Sequence, residues 1–205
     1  MFSGMIEHIG TIKQFSGEII TIKSTLSPKI GASIAVNGIC LTTTRYKNGE
    51  FDAILSKESR DHIAIENLKN KVHLEEALRV NDRLDGHIVQ GHIDCIGIIR
   101  KIEQSENGFD FFIEFDESKI PLIVPKGSIA IDGVSLTINS LQQNIFRLTI
   151  IPHTFKNTLF HTYKINRRVN IETDIINRSI YHILKHTKPE SNINFKEIDS
   201  ILLSY

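Results

Sequence analysis

The chain has 205 residues, with 24 Lys plus Arg balanced by 24 Asp plus Glu, two Cys and no Trp. Its 40% hydrophobic content suits one large core or two small ones and argues against disorder. The zero net charge without a basic run leaves no electrostatic footprint for nucleic acid. The longest apolar runs, such as Pro121 to Pro125, fall far short of the roughly 20 residues that span a bilayer.

Residues Met1 to Glu7 carry no basic region followed by a long apolar core, so a cytoplasmic setting is expected. Cys40 and Cys95 have no CxxC spacing, which fits reduced thiols better than a disulfide scaffold or a zinc site.

The first informative segment, Gly4 to Ile12, returns as Gly91 to Ile99 at an offset of 87. Ser33 to Thr42 returns as Ser128 to Thr137 at an offset of 95, with six of ten positions identical. Val72 to Glu75 returns as Val169 to Glu172 at 97, so the order is kept with small insertions. A repeat of this length is too long for a solenoid unit and about right for a small domain. The expected division is a first domain over residues 1–84, a second over 85–174 and a tail over 175–205.

Within each copy, short segments rich in Ile, Val, Thr and Phe alternate with turn signals: Asn37-Gly38, Asn48-Gly49, Asn107-Gly108 and Asp132-Gly133. Phe111 to Phe115 and Phe146 to Ile151 read as strands. Several such strands in one small domain favour a closed antiparallel barrel over an open sheet with bare edges. The tail alone reads as helical. Ile175, Ile176, Ser179, Ile180, Ile183 and Leu184 recur at helical spacing, Pro189 interrupts, and Phe195, Ile198, Ile201 and Leu202 resume. Its apolar stripe needs a partner surface, either another subunit or its own barrel.

The shared Gly-x-[Cys/Ser]-Leu-Thr segments place Cys40 with Thr42, and Ser135 with Thr137, two positions apart and so on one strand face. Such pairs can hydrogen-bond a heteroaromatic ring or a sugar-like chain, or they can simply begin a core strand. Gly86 to His92 is the densest polar cluster. It has no partner set for a metal, and His92 stands where the first copy has Met5, as a single acid or base group would. A structural His bonding a backbone carbonyl is the alternative. Lys126 is a cation present in the second copy only, able to hold an anionic or enol-like group or to stand free in a loop. Asp132 replaces Asn37 at a position that turn formation explains with either residue.

Met1 to Glu7, Ala35 to Thr42, Gly86 to Asp94, Asp132 to Thr137 and Ile151 to Thr154, in that order, make the chain resemble the riboflavin synthase alpha-chain family over essentially its whole length. The resemblance implies an all-β fold of two tandem six-stranded Greek-key barrels with a C-terminal helix, and a homotrimer with sites between subunits. It also implies a cofactor-free, metal-free dismutation. Two molecules of 6,7-dimethyl-8-ribityllumazine exchange a four-carbon unit and give riboflavin and a pyrimidinedione. Lumazine synthase is a further candidate partner.

Carried over residue by residue, the resemblance groups Gly4, Met5 and Ile6 with Cys40, Leu41, Thr42 and the run Ile54, Leu55, Ser56, Lys57, Glu58 and Ser59 in a first pocket. It groups Gly91, His92 and Ile93 with Lys126, Ser135, Leu136, Thr137 and the run Ile151, Pro152, His153, Thr154, Phe155 and Lys156 in a second. Phe2 matches an aromatic that helps close the site, and Ser33 and Asp174 match polar positions nearby. His92, Ser135 and Thr137 are expected to move protons, with Cys40 or a water on the acceptor side. The chain departs from the family at Ser3, usually Thr, at Asp85, usually Gly, and at His153, usually Glu. A non-catalytic lumazine or flavin carrier on the same fold is the alternative, and a purely structural pair of barrels is a more distant one.

Overall fold

The computed structural model describes residues 1–187. Strands β1 (His8–Ser16), β2 (Ile19–Lys23), β3 (Ser33–Val36), β4 (Ile39–Lys47), β5 (Glu50–Ile54) and β6 (Lys71–Glu76) close a barrel in the order β1-β2-β5-β4-β3-β6. Strands β7 (Cys95–Ser105), β8 (Gly108–Glu114), β9 (Ser128–Ile131), β10 (Val134–Gln142), β11 (Ile145–Ile150) and β12 (Arg168–Thr173) close a second with the same connectivity. Neighbouring strands are antiparallel throughout both barrels. Helices α1 (Lys57–Arg60) and α2 (Pro152–Asn157) follow β5 and β11, and α3 (Ile175–His186) follows β12. The second helical stretch expected around Phe195 to Leu202 lies outside the described residues.

Strand alternation fills each barrel with its own apolar side chains. Ile20, Ile22, Phe51, Val72 and Leu74 meet inside the first; Ile99, Phe111, Ile113, Phe146 and Leu148 meet inside the second. These buried side chains occupy the barrel interiors, and the polar positions that alternate with them face outward.

The barrels meet at two hairpin tips. Asn37-Gly38 and Asp132-Gly133 both adopt left-handed backbone, with φ 46° and 79° in one and 44° and 84° in the other, as a two-residue hairpin turn requires. A Cβ on Gly38 would lie 2.7 Å from the Gly133 nitrogen, so the tips are packed back to back and only glycine fits. Around this axis the halves exchange equivalent bonds. Asn170 on β12 donates to the Asn37 carbonyl (3.0 Å) and accepts from Ala64 N–H (2.7 Å). His73, its counterpart on β6, contacts the Asp132 carbonyl through Nδ1 (2.9 Å) and accepts from Leu159 N–H at Nε2 (2.8 Å). Because Nε2 accepts, Nδ1 carries the proton. Burial pushes the His73 imidazole down to about 4, so it is neutral. Asp132 and Asn37 do the same local work: Asp132 accepts from Asn170 N–H and Asn37 from His73 N–H, both at 2.8 Å.

Two segments that lead into the barrels lie outside the strand ladder. Gly4 to Ile6 and Gly86 to His92 precede β1 and β7 as irregular chain; just ahead of Gly4, Phe2 forms an isolated bridge with Val89, and the Ser3 carbonyl accepts from His87 N–H (3.1 Å). Their glycines turn the chain away from the ladder: Gly4 and Gly91 have φ of 77° and 82°.

Candidate active site

On β4, Cys40 and Thr42 share the outward face beside Ser33 of β3 and Ile54 of β5, because Thr42 is paired with both neighbours. On β10, Ser135 and Thr137 repeat the arrangement, with Ser128 opposite Thr137. Thr42 and Thr137 are exposed, whereas Cys40 and Ser135 are half-buried beneath irregular chain.

That covering chain comes from the opposite half. Ser135 N–H donates to the Gly4 carbonyl (2.8 Å), and Cys40 N–H donates to the Gly91 carbonyl (2.9 Å). A Cβ at Gly4 would lie 2.7 Å from Cβ of Ser135, and one at Gly91 would lie 2.5 Å from Cβ of Cys40. Ile6 accordingly packs on the core of the second barrel and Ile93 on that of the first. This corrects the sequence-based grouping: Gly4, Met5 and Ile6 stand with Ser135, Leu136 and Thr137, while Gly91, His92 and Ile93 stand with Cys40, Leu41 and Thr42. The halves resemble each other so closely that comparing them cannot reveal an exchange.

The group beside Ser135 is His87, not His92. Nδ1 of His87 lies 2.7 Å from the Ser135 hydroxyl, and Gly86 is held so close that a Cβ there would overlap the Ser3 carbonyl and crowd that hydroxyl. His87 is 7% exposed and its buried Nε2 has no hydrogen-bond partner. Burial lowers its pKa while the charge of Asp174 acts in the opposite direction, so the ring is neutral near pH 7 and able to accept a proton. Asp174 itself caps α3, accepting from Ile176 N–H at 2.8 Å. His92 is exposed, and its amide donates to Glu172 (3.1 Å). The sequence comparison aligns Gly4 with Gly91 and has no position to set against His87. A difference between the halves could therefore single out His92 but not His87.

Other expected residues are placed as follows. Phe2 is wholly buried in a cluster with Ala35, Val89 and Ala130, against which Cys40 packs, so its ring fills a core and presents no surface to a ligand. Leu55 is likewise a core side chain. Ile54 and Ile151 are exposed, at equivalent ends of β5 and β11. Ser56 caps α1 by accepting from Ser59 N–H (3.2 Å), with Lys57 exposed beside it; of Glu58 only the backbone in α1 is described. Pro152 opens α2, where His153 and Lys156 are exposed, Thr154 is partly buried and Phe155 stacks on Phe109 at 3.8 Å. Lys126 is exposed and has φ of 69°, where the first copy has Gly31 at 85°. A side chain in that backbone region costs roughly 1–2 kcal/mol.

Two sites thus repeat one plan, each a small polar residue beneath a left-handed glycine and flanked by an exposed Thr. The second adds the buried imidazole of His87, and the exposed Lys126 leads to that site in the chain, its amide donating to the Ile138 carbonyl on β10 (2.7 Å).

The lumazine binding domain family matches residues 3–77 and 90–174. The riboflavin synthase of Actinobacillus pleuropneumoniae is 38% identical over 206 aligned residues, covering 95% of this chain and 96% of that one. That of Bacillus subtilis (strain 168) is 38% identical, with 90% of each covered. Among solved structures, LumP complexed with riboflavin superposes with a TM-score of 0.75 at 22% identity, over 84% of this chain and 99% of that one, which is a likeness of fold. With both halves matched and near-complete alignment to such relatives, the chain belongs to the riboflavin synthase family of duplicated lumazine-binding domains.

Proposed function

We infer that the protein is a riboflavin synthase, converting two molecules of 6,7-dimethyl-8-ribityllumazine into riboflavin and 5-amino-6-ribitylamino-pyrimidinedione. The observation that carries this is the matched pair of polar sites, Cys40 under Gly91 and Ser135 under Gly4. A reaction between two identical molecules is served by two similar pockets that supply proximity and orientation. The relatives' name and the family's ligand point to the same chemistry.

The asymmetry between the sites divides the labour. One lumazine must lose a proton from its C7 methyl group, and the other must accept a nucleophile at C7. The buried neutral imidazole of His87, acting through the Ser135 hydroxyl, is the base; Lys126 stabilises the anion that deprotonation leaves, and Thr137 orients the ring. Cys40 and Thr42, beneath the segment that carries His92, hold the acceptor, and Cys40 or a water adds at C7. Ser33, with Ile54, Ser56, Lys57 and Ser59 in one half and Ile151 to Lys156 in the other, lines the ribityl and ring contacts, and Asp174 tunes His87.

Residues 1–84 and 85–174 are the two ligand-binding units in this reading. The tail, residues 175–205, assembles a cytoplasmic homotrimer in which the first-barrel site of one chain faces the second-barrel site of a neighbour. Ile176, Ile180, Ile183 and Leu184 are exposed on α3, which supports a subunit contact there. Lumazine synthase, as the enzyme named for making the substrate, is the natural neighbour. Among the described residues no helix is long and apolar enough to cross a membrane.

Incubation with the ribityllumazine, followed by riboflavin absorbance, tests the assignment. Product formed without added cofactor is the expected result. Tight binding of one ligand per chain with no product would make the protein a carrier.

A further inference from the structure

Two buried carboxylates stand outside the groups just assigned to substrate. Glu75 on β6 is 6% exposed and Glu172, its counterpart on β12, is 1% exposed. Glu75 accepts from Ser3 N–H (2.7 Å), from the Ser3 hydroxyl (2.8 Å), and with both oxygens from Gly4 N–H (3.1 and 3.0 Å). Glu172 accepts from Gln90 N–H (2.7 Å), Gly91 N–H (2.9 Å) and His92 N–H (3.1 Å). Each side chain therefore gathers successive backbone amides into one anion-binding bend, a stronger fastening than neutral hydrogen bonds give.

What the two carboxylates fasten is not part of their own barrel's site. The Gly4 carbonyl receives Ser135 N–H of the second barrel, and the Gly91 carbonyl receives Cys40 N–H of the first. The approach at both glycines leaves no space for a Cβ, so a shift of the fastened segment is felt directly at the half-buried polar residue beneath it. Glu75, Gly4 and Ser135 form one chain of contacts that crosses between the halves; Glu172, Gly91 and Cys40 form the other, running in the opposite direction.

We propose that Glu75 and Glu172 are positioning residues acting crosswise, Glu75 on the Ser135 site of the second barrel and Glu172 on the Cys40 site of the first. For its effect on turnover this rests on the functional reading above; for its geometry it does not. A purely local role, in which each carboxylate only satisfies buried amides, would loosen both sites alike or neither.

The experiment uses the full chain with Glu75→Gln and Glu172→Gln, and reads each site without turnover. Alkylation of Cys40 by iodoacetamide, located by mass spectrometry, reports the first site. Cys95 adds little background, since burial pushes its thiol up to about 12. The NMR titration of His87, identified by its loss in His87→Asn, reports the second. Glu172→Gln is expected to change the Cys40 rate by about threefold or more and leave the His87 titration in place. Glu75→Gln should do the reverse, and each variant should lower kcat by about 10- to 100-fold. A parallel pattern, equal effects at both sites, or no effect at either in folded variants would overturn the proposal. Should a Gln variant not fold, Glu75→Asp or Glu172→Asp, which draws the carboxylate back by one methylene, is read in the same way. A crossed pattern in the variants, together with a wild-type protein that makes no riboflavin, would sink the functional reading and leave the positioning intact.

Discussion

His87 and Ser135 touch at 2.7 Å although 48 positions separate them in the chain. If the imidazole takes the proton through that hydroxyl, His87→Asn and Ser135→Ala should each lower kcat by about 10²- to 10⁴-fold, and the double variant should be little worse than either. The pH dependence has a definite sign. Burial holds the His87 pKa below its ordinary 6.5, so the base stays available as pH falls past 6.5 and is lost only on passing the lower folded value. The kcat/KM profile should therefore show its acid limb below pH 6.5, and a limb at or above that point would speak against His87. Lys126 gives a different test. Lys126→Gly relieves a left-handed φ of 69° and should leave the melting temperature equal or higher while KM rises. At this scale the sequence revealed the small polar pair and the lysine, since each stands out when the halves are compared. It did not reveal the burial of His87 or of Phe2, which follow from a chain segment folding across from the other half.

Among the elements, β6 and β12 are the most informative pair. They occupy equivalent places and carry His73 and Asn170 across the axis between the barrels. Asn170 shows that an amide side chain donates to one carbonyl and accepts one amide there, which is the task His73 performs as a neutral ring. His73 has its pKa lowered from 6.5 to about 4, so the unfolded chain binds the extra proton more readily. Its contribution to stability is complete above pH 6.5 and is lost as pH falls toward 4, by on the order of 3 kcal/mol. His73→Asn should flatten that part of the stability curve, as measured by chemical denaturation between pH 7 and 4. The strands themselves were legible because alternation and paired turn residues mark them. The covering segments were not legible in this way: Gly4 and Gly91 adopt left-handed backbone that leaves the ladder, and neither alternation nor a turn pair marks that departure in the sequence.

For the whole molecule, the internal repeat made two barrels plain from sequence, and both are closed. What the repeat could not convey is the exchange of their covering segments, because two equivalent segments give the same alignment whether each lies on its own barrel or on the other. The exposed face of α3 belongs to this scale too. Ile180→Glu and Ile183→Glu should lower the sedimentation coefficient of the assembly and reduce turnover together, while leaving circular dichroism in the strand region unchanged. A fall in turnover with the assembly intact would separate α3 from subunit contact.

The crossing of Gly4 onto Ser135 and of Gly91 onto Cys40 has a consequence for exchanging parts between related proteins. A chimera joined between β6 and Gly86 does not transplant one complete site and spare the other; it makes both sites hybrids, each with its wall from one parent and its rim from the other. A join placed ahead of Gly86 moves the rim of the Cys40 site along with the second barrel, and a join after Ile93 keeps it with the first. The eight residues between those two joins decide which parent supplies that rim.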